Sequence, residues 1–206
     1  MITTLYLVRH CQSHPSPAFA DGDWPLSERG SRQARELIPV LSALGADAFV
    51  SSPYRRCLET LAPSAASLGL ALETEIELRE RLVSPTWVSD FREIWRRSWE
   101  DPSFAVPGGE SSLDCRLRVT RAFDRLVAKY PGRTLIVGSH GNALSLFLSA
   151  FTPGYGIAQA SALRTPELLR VTHGPGGYLW HLDFEVPKAF DLLATDFRET
   201  PGILAG

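Results

Sequence analysis

Two apolar runs far apart in the chain end in the same way, and this limits the fold more than any other feature. Leu5-Tyr6-Leu7-Val8 runs into Arg9-His10, and Leu135-Ile136-Val137-Gly138 runs into Ser139-His140. Each run is short and continuously apolar, the pattern of a strand buried on both faces in a parallel sheet. Elsewhere similar runs alternate with amphipathic segments. The expected class is α/β: a three-layer α/β/α sandwich with a mostly parallel central sheet.

Local signals place the other elements. Ser27 is a good N-cap for a helix over about 27–44, closed by Gly45. Ala48-Phe49-Val50-Ser51 reads as the second strand. A helix over about 53–68 follows, with Pro63 expected to kink or shorten it. Residues 70–77 read as a weaker strand. The stretch 85–108 reads as an excursion with one short helix near 88–98, its Trp87, Trp95 and Trp99 read as packing residues. Over 111–130, Val119, Phe123, Leu126 and Tyr130 share one helical face. Another helix starts at about Asn142. Residues 168–173 and 178–186 form a hairpin signal around Gly174-Pro175-Gly176-Gly177. The last fifteen residues are expected to be loosely attached.

A chain of 206 residues suits one domain, spanning 1–206 with a variable excursion at about 81–110. No apolar run approaches the ~20 residues that span a bilayer, and the N-terminus lacks a basic start followed by an apolar stretch. The expectation is a protein without membrane or secretion signals. Three cysteines, an odd number, argue against a disulfide framework and for a reducing cytoplasm. A net charge of −2 argues against binding nucleic acid by bulk charge. It leaves room for a small anion, which needs only local positive charge.

Ligands of open parallel sheets bind beyond the carboxyl ends of the strands. If the two histidine-bearing strands are neighbours, both imidazoles reach one crevice. The strand at 48–51 ends there too, and the helix after it opens with Arg55 and Arg56. One rim then gathers two imidazoles, two or three guanidiniums and helix N-termini. Such a site suits a phosphate dianion, whose oxygens a planar guanidinium meets in pairs.

These residues resemble a known family. Leu7-Val8-Arg9-His10-Cys11-Gln12-Ser13 is similar to the signature of the histidine phosphatase superfamily, the phosphoglycerate-mutase-like proteins, normally Arg-His-Gly. Leu26-Ser27-Glu28-Arg29-Gly30 with Gln33-Ala34 resembles the family's first helix. Ser51-Ser52-Pro53 with Arg56 and Thr60 resembles its second-arginine motif, and Leu78-Arg79-Glu80 the segment that supplies the acid. Gly138-Ser139-His140-Gly141-Asn142 resembles the second-histidine motif, and Pro107-Gly108-Gly109-Glu110-Ser111 also recurs in the family. The resemblance covers about residues 5–145.

The resemblance implies a phosphoglycerate-mutase-like fold and double displacement on a small phosphorylated metabolite. His10 attacks phosphorus, and Glu80 protonates the departing alkoxide. Water, with Glu80 as base, then hydrolyses the phosphohistidine. Arg9, Arg56 and His140 hold the equatorial oxygens. Glu80 is expected to need a raised pKa, and His10 to be neutral with a backbone carbonyl fixing its tautomer. Gln12, Ser13, Ser16 and Asn142 are candidate substrate contacts. No metal and no cofactor are implied. The partner is a small phosphorylated substrate, with neither nucleic acid nor membrane, and a homodimer is open.

Three positions depart from the pattern. Cys11 replaces glycine, where an unusual backbone angle or a close approach to phosphate is at stake. Ser16 stands for a frequent asparagine and Ser145 for a frequent arginine. Cys11 also invites a redox reading beside positive charge, although a small loop residue is the plainer one. Glu77 is the alternative to Glu80, and Arg55 to Arg56. Arg96 and Arg97 read equally as reaching over the pocket or as a solvated helix face. Rival functions are a cofactor-dependent phosphoglycerate mutase, a metalloenzyme on His10, His140 and Glu80, and a non-catalytic phospho-ligand-binding module. The family's mutases are usually longer before the second histidine, which favours hydrolysis.

Overall fold

The computed structural model describes residues 1–191. The tail expected to be loosely attached lies outside them. Strands β1 (Thr3–Arg9), β2 (Ala48–Ser51), β3 (Leu72–Thr74), β4 (Thr134–Ser139), β5 (Glu167–Gly174) and β6 (Gly177–Trp180) form one sheet, in the order β3-β2-β4-β1-β5-β6. β1, β2, β3 and β4 pair in parallel, β5 pairs antiparallel with β1, and β6 antiparallel with β5. The two histidine-bearing strands are neighbours, with Arg9 opposite Ser139.

Seven helices cover the described part of the chain: α1 (Glu28–Ser42), α2 (Arg55–Ser67), α3 (Phe91–Glu100), α4 (Ser112–Lys129), α5 (Gly141–Ser149), α6 (Ile157–Ala162) and α7 (Lys188–Asp191). Alternation along the strands divides the core in two. Leu5, Leu7, Leu135 and Val137 pack against Val119, Phe123 and Phe147 from α4 and α5. Val8, Ile136 and Phe49 face Leu37, Leu41 and Leu61 from α1 and α2. Successive strand residues point to opposite faces, so continuously apolar strands are buried twice and the three layers follow.

Several boundaries differ from expectation for local reasons. α1 begins as expected, with the Ser27 hydroxyl accepting from the Gly30 amide at 3.0 Å. α2 continues through Pro63. A proline removes one donor, while Cys57, Thr60, Leu61, Ser64 and Ala65 keep the helix against the core. The strand expected over 70–77 stops at Thr74, because the Glu75 carboxylate accepts from the Glu77 amide and turns the chain into a 3₁₀ helix, Ile76–Leu78. The short helix lies at Phe91–Glu100, shifted along the chain from 88–98; the Asp90 carbonyl accepts from Glu93 and Ile94. The second hairpin strand ends at Trp180 rather than at 186, and Gly177, at φ +88°, closes the turn.

Candidate active site

The carboxyl ends of β1, β4 and β2 open into a cavity of about 580 Å³, lined among others by Arg9, His10, Arg56 and Glu80. Backbone bonds fix how the strand ends meet. The His10 amide donates to the Ser139 carbonyl at 3.1 Å, and the Ser52 amide to the Gly138 carbonyl at 2.9 Å. The His10 and His140 rings meet edge to face, 5.3 Å between centroids.

His10 Nδ1 lies 2.8 Å from the carbonyl of Cys11. A carbonyl only accepts, so Nδ1 carries the proton and Nε2 keeps its lone pair. Burial, then the Arg56 and Arg9 guanidiniums, push the His10 pKa well below its usual value; the Cys11 carbonyl pulls the other way. The ring is neutral near pH 7, in the tautomer a nucleophilic Nε2 requires.

Arg9 is anchored from behind, donating through Nη1 to the carbonyls of Leu163 at 2.8 Å and Arg164 at 3.2 Å. Burial lowers its pKa to about 10, against the opposing pull of the Glu80 and Glu167 carboxylates, so it stays a cation. Gly141 makes room for it: a Cβ there would sit 3.1 Å from the Arg9 Cζ. Arg56, and not Arg55, faces the cavity. Its Nη1 donates to the Asp21 carbonyl at 2.6 Å and lies 3.2 Å from the Asp21 carboxylate, and its guanidinium sits near the Trp24 and Tyr54 rings. Arg55 is exposed and paired with Glu59 at 2.6 Å.

Glu80 sits at the N-terminus of α5. Its Oε1 accepts from the amides of Arg81 at 2.8 Å and Ala143 at 3.0 Å, and Oε2 from Asn142 at 3.1 Å. Glu77 is turned away and pairs with Arg79 at 2.8 Å. The segment that presents Glu80 is pinned from two sides. The Ser139 hydroxyl donates to the Leu78 carbonyl at 2.8 Å. Arg118 of α4 donates to the carbonyls of Glu77 at 2.6 Å and Arg79 at 3.1 Å while paired with Glu110 at 2.6 Å.

His140 is wholly buried behind the cavity wall. Its Nε2 lies 2.8 Å from the Ser52 hydroxyl and 3.4 Å from the Cys57 sulfur, and Tyr54 packs edge-on against the ring. Burial, then Arg56 and His10, keep it neutral.

The four candidate substrate contacts divide. Ser13 and Asn142 line the cavity. Gln12 is buried and serves the frame: its amide donates to Gln33 Oε1 at 3.0 Å, and its side chain accepts from the Ser27 hydroxyl at 2.7 Å. The Ser16 hydroxyl accepts from the Ala18 amide at 3.2 Å, within its own loop. Cys11 resolves the glycine question. No non-glycine residue among those described has a positive φ, and the Cys11 side chain packs into the core with Val8 and Leu37. Burial pushes its thiol up to about 12, opposite to the redox expectation. Arg96 pairs with Glu93 and Glu100 on the exposed face of α3, and Arg97 stacks on Phe104, so neither reaches the cavity.

Three residues not singled out from the sequence join the site: Asp21, which holds Arg56; Arg118, which with Glu110 of the 107–111 motif holds the segment carrying Glu80; and Arg81, buried and lining the cavity beside Glu80. A signal for Arg118 was present. It lies on the same helical stripe as Cys115, Val119 and Ala122, where a cation calls for a buried partner.

The family model described as histidine phosphatase superfamily (branch 1) matches residues 5–180. A bifunctional protein of Mycobacterium tuberculosis is 33% identical over 167 residues, covering 75% of this chain and 46% of that protein. The chain thus spans about half the length of the first curated relatives it matches. A probable phosphoglycerate mutase of Cronobacter sakazakii is 29% identical over 157 residues, covering 70% of this chain and 73% of the relative. A mycobacterial glucosyl-3-phosphoglycerate phosphatase has a similar fold, with a TM-score of 0.73 at 24% identity over 90% of this chain and 99% of that one. So does a phosphoserine phosphatase mutant from Entamoeba histolytica, at 0.73 and 17% identity over 86% and 94%. With 176 of its residues inside the family model and all three strand ends inside that span, the chain belongs to the histidine phosphatase superfamily, branch 1.

Proposed function

We propose that this protein is a phosphomonoesterase working through a phosphohistidine on His10. One observation carries the reading: the His10 imidazole, at the same cavity as Arg9 and Arg56, is held neutral by burial and by those two guanidiniums, and its Nδ1 is spoken for by the Cys11 carbonyl, which leaves Nε2 as the nitrogen with the lone pair. In the proposed reaction Nε2 attacks phosphorus in line with the ester oxygen. Arg9 and Arg56 receive the charge that spreads over the equatorial oxygens. Glu80 is the proton donor to the departing alkoxide and then the base that takes a proton from the attacking water. His140, wholly buried, acts from behind through its edge contact with the His10 ring. The Arg9 and Arg56 guanidiniums, which line the same cavity and act electrostatically on His10, make a divalent cation there unfavourable, so the chemistry is assigned to the side chains. Three buried, unpaired thiols support a reducing compartment.

A panel of phosphomonoesters assayed in a chelator tests the reading. Release of inorganic phosphate is expected, with 3-phosphoglycerate giving no 2-isomer. Isomerisation without release would establish the mutase that the Cronobacter relative's name suggests. Tight binding of the esters without turnover would establish a binding module.

The choice of arginine has its own test. Arg56→Gln is expected to lower kcat/KM by about 100-fold or more, the usual cost of one lost oxyanion contact. Arg55→Gln is expected to leave it within about twofold, because its exposed pair with Glu59 contributes little. Steady-state kinetics of the two variants decides between them.

A further inference from the structure

The cavity is much larger than a phosphoryl group requires; about 580 Å³ falls in the range that holds drug-sized ligands, roughly 300–1,000 Å³. Its inner end carries the charge. Its outer end is built from the loop after His10 and from the excursion before α4. Between Leu82 and Trp95 every residue that lines the cavity is uncharged, although Asp90, Arg92 and Glu93 belong to the same segment. α3 turns Phe91 and Trp95, one helical turn apart, toward the cavity. It leaves Glu93, Arg96 and Glu100 paired on the opposite side.

The aromatic wall is joined to the reacting groups at both ends. Trp24 lies 5.3 Å from the Arg56 guanidinium and meets Trp87 edge-on at 6.2 Å. Trp95 donates its indole N–H to the Asn142 side chain at 2.7 Å, and the Asn142 amide in turn holds Glu80. Phe19 and Trp87, each 51% exposed, line the same mouth. Large aromatic side chains left half in water around a cleft mark a place where an apolar group is received.

We infer that the alcohol esterified to the phosphate is large, flat and mostly apolar, an aromatic or aryl-bearing alcohol. The inference rests on the phosphatase reading and gives a chemical class to the alcohol of the small phosphorylated metabolite expected from the sequence. Trp87 and Trp95, first read as packing residues, become the wall against which that alcohol lies. Beyond Arg81, which sits beside Glu80, the excursion side of the cavity offers a small charged alcohol no opposite charge, whereas an aryl group would bury against Trp87, whose ring meets Trp24 at 6.2 Å, with Trp24 in turn 5.3 Å from the Arg56 guanidinium.

The test compares naphthylethyl phosphate, ethyl phosphate and O-phosphoserine in the full chain. The first two are esters of primary alcohols of nearly equal acidity, so leaving-group chemistry does not decide between them. We expect kcat/KM for naphthylethyl phosphate to exceed that for ethyl phosphate by at least about 30-fold, mostly through KM. Phe19→Ala combined with Trp87→Ala should cut that ratio at least about tenfold. Both side chains are half exposed, so the variant should keep its fold, checked by circular dichroism. Equal kcat/KM for the two alkyl esters, a preference for O-phosphoserine, or an unchanged ratio in the variant would overturn the inference while leaving the phosphatase intact. Naphthylethylphosphonate, which cannot be hydrolysed, separates the two readings. Tryptophan quenching should show it binding at least about tenfold tighter than ethylphosphonate even if no ester is turned over. Equal binding would overturn the aromatic wall independently of catalysis.

Discussion

Replacing His10 with alanine is expected to lower phosphomonoester turnover by at least about 10⁴-fold, the range seen when a covalent nucleophile is removed. Folding should survive. The imidazole has one hydrogen bond, to the carbonyl of the next residue, and that carbonyl can accept from water once the ring is gone. Retained circular dichroism and a thermal midpoint within a few degrees of wild type would establish this. A direct readout exists as well. Rapid quenching with a ³²P-labelled ester should trap an acid-labile, alkali-stable label on the wild type and none on His10→Ala. The depressed His10 pKa adds a consequence for pH. A ring held neutral by burial and by two guanidiniums keeps its lone pair into mildly acidic solution, so labelling should persist below pH 6. Normal labelling of the variant, or a label on another residue, would remove His10 from its role.

Much of this site was legible because strand termini are local features. Leu5–Val8 and Leu135–Gly138 announce buried strands by their composition, and the residues that follow each must lie at the carboxyl edge of the sheet. The choice of Arg56 over Arg55, and of Glu80 over Glu77, depends on something no local pattern carries, namely which of two nearby side chains points inward. α2 begins at Arg55, which leaves Arg55 in solvent and turns Arg56 toward Asp21. The 3₁₀ turn at Ile76–Leu78 likewise directs Glu77 outward before Glu80 reaches the start of α5. The holding roles of Asp21, Glu110 and Arg118 were hidden for the same reason. Each is 8 to 41 residues from what it holds, and its meaning appears only when the elements pack. Cys11 shows the converse. A motif position usually filled by glycine suggests a backbone demand, yet the backbone here has no positive φ, and the thiol fills a core position instead.

Glu80→Gln should separate substrates rather than slow them all alike. With an alkyl phosphate the departing alkoxide is strongly basic, and kcat is expected to fall about 10³-fold when no proton can be supplied. With p-nitrophenyl phosphate the leaving group is stable as an anion, and the loss should be about tenfold or less. The comparison is made within one variant because the substitution also disturbs structure. The carboxylate accepts three backbone N–H groups, two of them opening α5, and an amide offers only one accepting oxygen. The amide's own N–H₂ then faces a backbone donor, and the helix loses a negative charge at its N-terminus, together costing about 1–2 kcal/mol. That cost lowers the melting temperature but acts equally on both substrates, so their ratio isolates proton transfer. A ratio that rises about 100-fold in favour of the nitrophenyl ester identifies Glu80 as the acid. An equal loss for both esters would mean that the carboxylate only braces the start of α5, and that the proton reaches the leaving oxygen by another route.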